Sequence, residues 1–162
     1  MKGFEPSLLE KLFDDEPHNL VHGRVKRQSL EQFKESVALD IEALLNSRFV
    51  MPEDRLTEFE ECRKSVMSYG LPDFSSRSLA SAPDRAFICK SLADTISQHE
   101  TRLKEVSVTL DERQRVTGGL RFSISAMLVV YPSKEPVNFD ALLQPSTLQY
   151  RVSRTRRGAG GE

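Results

Sequence analysis

The sequence predicts an α+β domain, with N-terminal helices packed on a small C-terminal antiparallel β-sheet of three or so strands. Two observations carry that reading. Apolar residues recur at spacings of three and four through roughly the first hundred positions, then at every second position beyond Glu100. Helices that precede strands, rather than alternating with them, gather on one face of the sheet. The composition fits: 162 residues, 38% hydrophobic and 29% charged, describe a globular chain long enough to bury one core.

The first helix is expected after Ser7, which with Glu10 has capping-box spacing and precedes Leu8, Leu9, Leu12 and Phe13 on one face. It should stop before Pro17, and residues 18–27 read as a mobile connector. Ser29 and Gln32 repeat the capping box. Leu30, Phe33, Val37, Ile41, Leu44 and Leu45 follow as a continuous apolar stripe, with Glu31, Lys34, Glu35, Asp40 and Glu42 on the wet side. Pro52 ends or restarts the pattern, and Leu56, Phe59 and Val66 suggest a shorter helix. Gly70 and Pro72 then mark a defined bend between Tyr69 and Phe74, because glycine tolerates positive φ and proline fixes φ. A polar loop at 75–81 leads to a third helix, capped by Ser81 with Pro83 in its first turn and Ile88, Leu92 and Ile96 as its ridge.

Val106, Val108 and Leu110 alternate with polar residues, as a strand with one wet face does. Leu120, Phe122, Ile124, Ala126, Leu128 and Val130 continue the alternation. Gly118-Gly119 lies just before them, so the two runs read as an antiparallel hairpin. A third alternating run comprises Leu148, Tyr150 and Val152. Residues 1–152 are therefore expected to form one domain, and 153–162 a disordered basic, Gly-rich tail.

The chemistry-bearing residues exclude more than they suggest. His18 and His22 flank the Pro17 and Gly23 breaks, His99 stands apart, and no cysteine or carboxylate cluster completes a metal shell. Neither a Gly-x-Ser-x-Gly elbow nor a phosphate-binding loop occurs, and a strand rather than a helix follows Gly118-Gly119. No catalytic residue, cofactor or metal is expected. Glycoside cleavage needs two converging carboxylates, and the 24 acids show no such pair in sequence. Cys62 and Cys89 read as reduced core cysteines, and the longest apolar run, 126–131, is far below the ~20 residues of a spanning helix. The formal net charge of -1 argues against nucleic acid as a partner, although Arg151, Arg154, Arg156 and Arg157 form a basic end. Glu100-Thr101-Arg102, between the third helix and the first strand, is the polar cluster that stands out. Its acid and arginine can pair, cap the helix, or grip a partner.

Several segments carry a resemblance. Ser65-Val66-Met67-Ser68-Tyr69-Gly70-Leu71-Pro72-Asp73-Phe74, the helix Ser91-Leu92-Ala93-Asp94-Thr95-Ile96 running into Glu100-Thr101-Arg102-Leu103, and the hairpin Thr117-Gly118-Gly119-Leu120-Arg121-Phe122 are the main ones. With Ser7-Leu8-Leu9-Glu10-Lys11-Leu12, they resemble the TssE proteins, lysozyme-like baseplate wedge subunits of type VI secretion systems, over about residues 7–152. Where that family carries glutamate-proline-arginine, this chain has Thr101 in the middle position. The resemblance implies a non-enzymatic adaptor linking the wedge complex to the contractile sheath. The implied partners are TssF and TssG, TssK indirectly, and the sheath proteins TssB and TssC. The implied location is cytoplasmic, at the inner face of the inner membrane, without membrane insertion. Glu100 and Arg102 would then contact the wedge, and the strand carrying Leu148, Tyr150 and Val152 would accept sheath strands along its open edge. The alternatives are a peptidoglycan-cleaving enzyme, suggested by the family's lysozyme-like label, and a small nucleic-acid-binding module.

Overall fold

The computed structural model describes residues 4–5, 8–12, 28–49, 59–63, 65–111, 119–144 and 146–155. Ser7, Phe13, Pro17, residues 18–27, Pro52, Leu56, Gly118 and the end of the tail, all given expectations above, lie outside that set. The helices are α1 (Leu8–Leu12), α2 (Leu30–Asn46), α3 (Glu60–Arg63) and α4 (Ala82–His99), with a 3-10 turn at Val66–Ser68. The strands are β1 (Leu103–Leu110), β2 (Leu120–Val130), β3 (Ser133–Gln144) and β4 (Gln149–Arg154). They form an antiparallel sheet in the order β1-β2-β3-β4, so the domain is α+β as its periodicity predicts.

α2 starts as its sequence dictates. The Ser29 hydroxyl accepts from the Gln32 N–H at 3.2 Å, and the Gln32 side chain accepts from the Ser29 N–H at 2.9 Å. The stripe Phe33, Val37, Ile41, Leu44 and Leu45 is buried, as are Ile88, Leu92 and Ile96 of α4. Both ridges meet Phe122, Ile124, Leu128, Phe139 and Ala141 from the sheet, forming the core. At ~1.5–3 kcal/mol for each large side chain taken from water, this core is the main force holding helices to sheet.

The fourth strand is the element that sequence reading passed over. β3 pairs with β2 along its whole length, from Val130↔Ser133 to Leu120↔Leu143. Pro136 disguises it, because proline argues against a central strand. β4 is only half as long as β3, so Pro136 lies beyond the stretch that β4 covers. In β1 an extra residue intervenes: between Lys104↔Met127 and Ser107↔Ser125 the register shifts, and Glu105 takes φ 54°. That bulge lets Leu103 and the Val106, Val108, Leu110 row share the core side despite their opposite parity.

Three further expectations change. Phe59 and Val66 are exposed; Phe59 lies just before a four-residue helix and Val66 opens a 3-10 turn, so the two do not share the buried face of one helix. Leu148 precedes β4 in a turn with φ 55° and is 65% exposed, so it does not share the buried row of Tyr150 and Val152. β4 continues to Arg154, so Ser153 and Arg154 belong to the sheet rather than to the tail.

Gly70 fixes how the bend meets α2. Leu71 donates to the Ser47 carbonyl at 2.9 Å, and Phe49 donates to the Leu71 carbonyl at 3.3 Å. Gly70 has φ 116°, and a Cβ placed there would lie 2.7 Å from the Ser47 carbonyl carbon and oxygen. Gly70→Ala is therefore expected to destabilise the fold by at least about 2 kcal/mol, read as a lower denaturation midpoint in urea.

Candidate partner-binding site

The helix-to-strand junction is built around one guanidinium. α4 ends at Glu100, whose backbone is no longer helical (φ -104°, ψ 87°), and the Leu103 N–H returns to the Glu100 carbonyl at 3.1 Å. This closes a turn with Thr101 exposed in its second position. Proline's fixed φ suits that position.

The Glu100 carboxylate is buried and accepts from the Arg102 backbone N–H at 3.1 Å and from Arg102 Nε at 2.7 Å. Arg102 Nη2 bonds the second Glu100 oxygen, and also Asp40 Oδ2 at 2.5 Å. The guanidinium carbon lies 5.6 Å from the Phe33 ring centroid, so two acids hold the cation above an aromatic face. Burial disfavours the charge on Arg102, yet the bonds and charges of Glu100 and then Asp40 hold its pKa above the ordinary arginine value. Of the roles open to Glu100 and Arg102, mutual pairing is the one realised within the chain. Asp40, read from periodicity as a wet-face acid, is the third member.

A second cluster braces the junction. His99 Nε2 donates to the Ser68 carbonyl at 2.9 Å, and Gln98 Nε2 donates to the Ser68 hydroxyl at 3.3 Å. The Tyr69 ring stands edge-on to His99 at 5.5 Å. Burial lowers the His99 pKa against the opposing Ser68 bond. Burial, then the charges of Asp40 and Glu100, raises that of Tyr69. His99 is thus tied to Ser68, and His18 and His22 lie outside the described residues. Among the described residues no group of three or more His, Cys, Asp or Glu side chains could hold a metal ion.

The second site predicted from sequence is the edge strand β4. Tyr150 and Val152 point their side chains into the core, and Tyr150 meets Phe122 with ring centroids 6.1 Å apart. Their outward backbone groups, in the plane of the sheet, meet side chains of α2. Asn46 Nδ2 donates to the Tyr150 carbonyl at 2.8 Å, and the Tyr150 N–H donates to Asn46 Oδ1 at 2.8 Å. The Val152 N–H donates to Glu42 Oε2 at 2.7 Å. Sequence reasoning missed Asn46 and Glu42, which lie more than a hundred positions from their partners and look like solvated helix residues. Arg154 closes the far end of the same edge by pairing with Glu31 at 2.6 Å.

Two substitutions probe the junction. Arg102→Ala strands the buried Glu100 carboxylate and is expected to cost roughly 2–4 kcal/mol of unfolding free energy, less than a fully buried pair because Arg102 retains some exposure. Thr101→Pro is expected to raise stability by about 0.4–1 kcal/mol by narrowing the unfolded ensemble, measured by the same denaturation.

Among the described residues no helix is long and apolar enough to cross a membrane. No curated protein is significantly similar to the chain in sequence. The family model described as "Baseplate wedge protein gp25" matches residues 31–133, a span that takes in α2, the Gly70 bend, α4, the Glu100–Arg102 turn, β1 and β2. That match covers well over half of the 162 residues, and the chain belongs to the gp25 family of baseplate wedge proteins, the family of TssE.

Proposed function

We propose that the chain is a non-enzymatic structural subunit of a type VI secretion baseplate, acting as an adaptor between the wedge complex and the contractile sheath. One observation carries the reading: membership of the baseplate wedge family, which supports a structural role in a baseplate and assembly with other baseplate proteins. The arrangement of the surfaces is consistent with it.

The Glu100–Arg102 turn faces TssF and TssG, with TssK reached through them. Glu100 and Arg102 act there by holding the shape of the turn, since their polar atoms already bond each other and Asp40. Exposed Thr101 is the apex that a wedge subunit would meet. At the far edge of the sheet, β4 faces TssB and TssC. Leu148 offers an exposed apolar side chain beside the strand, whereas Tyr150 and Val152 offer backbone, because their side chains fill the core. Strand addition supplies affinity through main-chain hydrogen bonds and specificity through the side chains beside them. The site of action is the cytoplasmic face of the inner membrane, where such a baseplate assembles.

Co-purification from cells with a tagged chain tests this. Wild type is expected to recover wedge subunits and sheath proteins, and purified protein to release no soluble fragments from peptidoglycan. Leu148→Asp is expected to lower sheath recovery at least about fivefold while wedge recovery persists, since a charge in an apolar contact costs more than ~1 kcal/mol. Recovery of no baseplate protein, or glycan release by the pure chain, would overturn the reading.

A further inference from the structure

An edge strand is a hazard as well as an opportunity, because it can pair with any strand that meets it. The two halves of this edge are protected differently. Along β3, the Thr155 N–H donates to the Asn138 carbonyl at 3.1 Å, so Asn138 faces the β4 side of the sheet. Strand residues alternate, so Pro136, two positions earlier, faces the same side beyond the end of β4. Proline has no N–H to offer an incoming strand, and that protection is permanent.

β4 is protected by side chains instead. Asn46 presents one carbonyl and one N–H to Tyr150, the pair of groups a strand residue would present, with both distances at 2.8 Å. Glu42, one helical turn earlier on the same face of α2, takes the next outward N–H, that of Val152. Two side chains therefore occupy two successive outward positions of β4, in the register an added strand would use.

We propose that Asn46 and Glu42 form a removable plug on the β4 edge, an autoinhibitory contact that an incoming strand must displace. This rests on the reading of β4 as the strand-accepting edge. The plug withholds the edge from chance partners, including a second copy of the chain. A cognate segment that supplies its own N–H and C=O groups, with further contacts such as Leu148, displaces it by exchanging hydrogen bonds one for one. Because the displaced groups sit on α2, docking frees the C-terminal half of that helix from the sheet edge.

The test removes the plug and uses a second copy as the probe strand. Asn46→Ala with Glu42→Ala is expected to convert a monomer into a concentration-dependent dimer in sedimentation velocity. The Tyr150 and Val152 amides should exchange at least about tenfold faster in the dilute monomer. Adding Val152→Pro, which deletes the outward donor while leaving the β3 ladder intact, should abolish the dimer. Should the double variant fail to fold, Glu42→Ala by itself, which removes one bond, must still associate more strongly than wild type. A folded variant that stays as monomeric as wild type overturns the plug and makes these bonds plain fasteners. If that happens while wild type still recovers sheath proteins, the plug alone fails. If the variant dimerises but wild type recovers no sheath protein, the docking reading alone fails.

Discussion

The fold depends on a charge that has left most of its water behind. The Arg102 guanidinium lies under the end of α4, against Phe33, and is matched by Glu100 beside it and Asp40 on α2. Removing either acid would leave a partly buried charge without compensation, so the three residues stand or fall together. Because they come from α2 and from the α4–β1 turn, the cluster sets where the two long helices lie relative to each other. The apolar ridges of those helices supply most of the binding energy to the sheet but little direction. Charge geometry supplies the direction, since a bidentate arginine accepts few arrangements.

What could be read in advance follows the range of the interactions. The α2 cap, the stripes of α2 and α4 and the alternation of β2 depend on neighbours within a few positions, and all stand where periodicity places them. β3 was hidden by Pro136, which argues against a central strand, although Val137, Phe139, Ala141 and Leu143 alternate beyond it with Asn138 and Asp140 as a half-buried strand does. Leu148 fitted the alternation of β4 in sequence, but the turn before the strand takes it out to solvent. At the site, the pairing of Glu100 with Arg102 could be anticipated from their spacing. The contributions of Asp40, Glu42 and Asn46 could not. Each meets a partner more than sixty positions away, and on a helical wheel each resembles any other hydrophilic residue of α2.

α2 consequently serves both margins of the sheet from opposite sides of its axis, since Asp40 lies about half a turn round from Glu42 and Asn46. Asp40 belongs to the junction that begins β1, at one margin of the sheet, while Glu42 and Asn46 belong to β4 at the opposite margin. A baseplate subunit has to present surfaces in fixed relation to several neighbours, and a helix fastened to both margins supplies that relation. It is also the element through which a disturbance at one margin would reach the other.

The bulge in β1 has a different kind of consequence. With an extra residue placed opposite Ala126, the strand switches which parity faces inward partway along. Amino-acid replacements on the exposed side of β1 leave that arrangement intact. Loss of the extra residue would leave Leu103 and the Val106 row on one face by plain alternation. A further residue gained between Leu103 and Val106, with no second bulge to absorb it, would turn a row of aliphatic side chains toward solvent and bring hydrophilic ones beneath α4. The bulge is thus one inserted residue that the strand absorbs without changing which of its side chains reach the core.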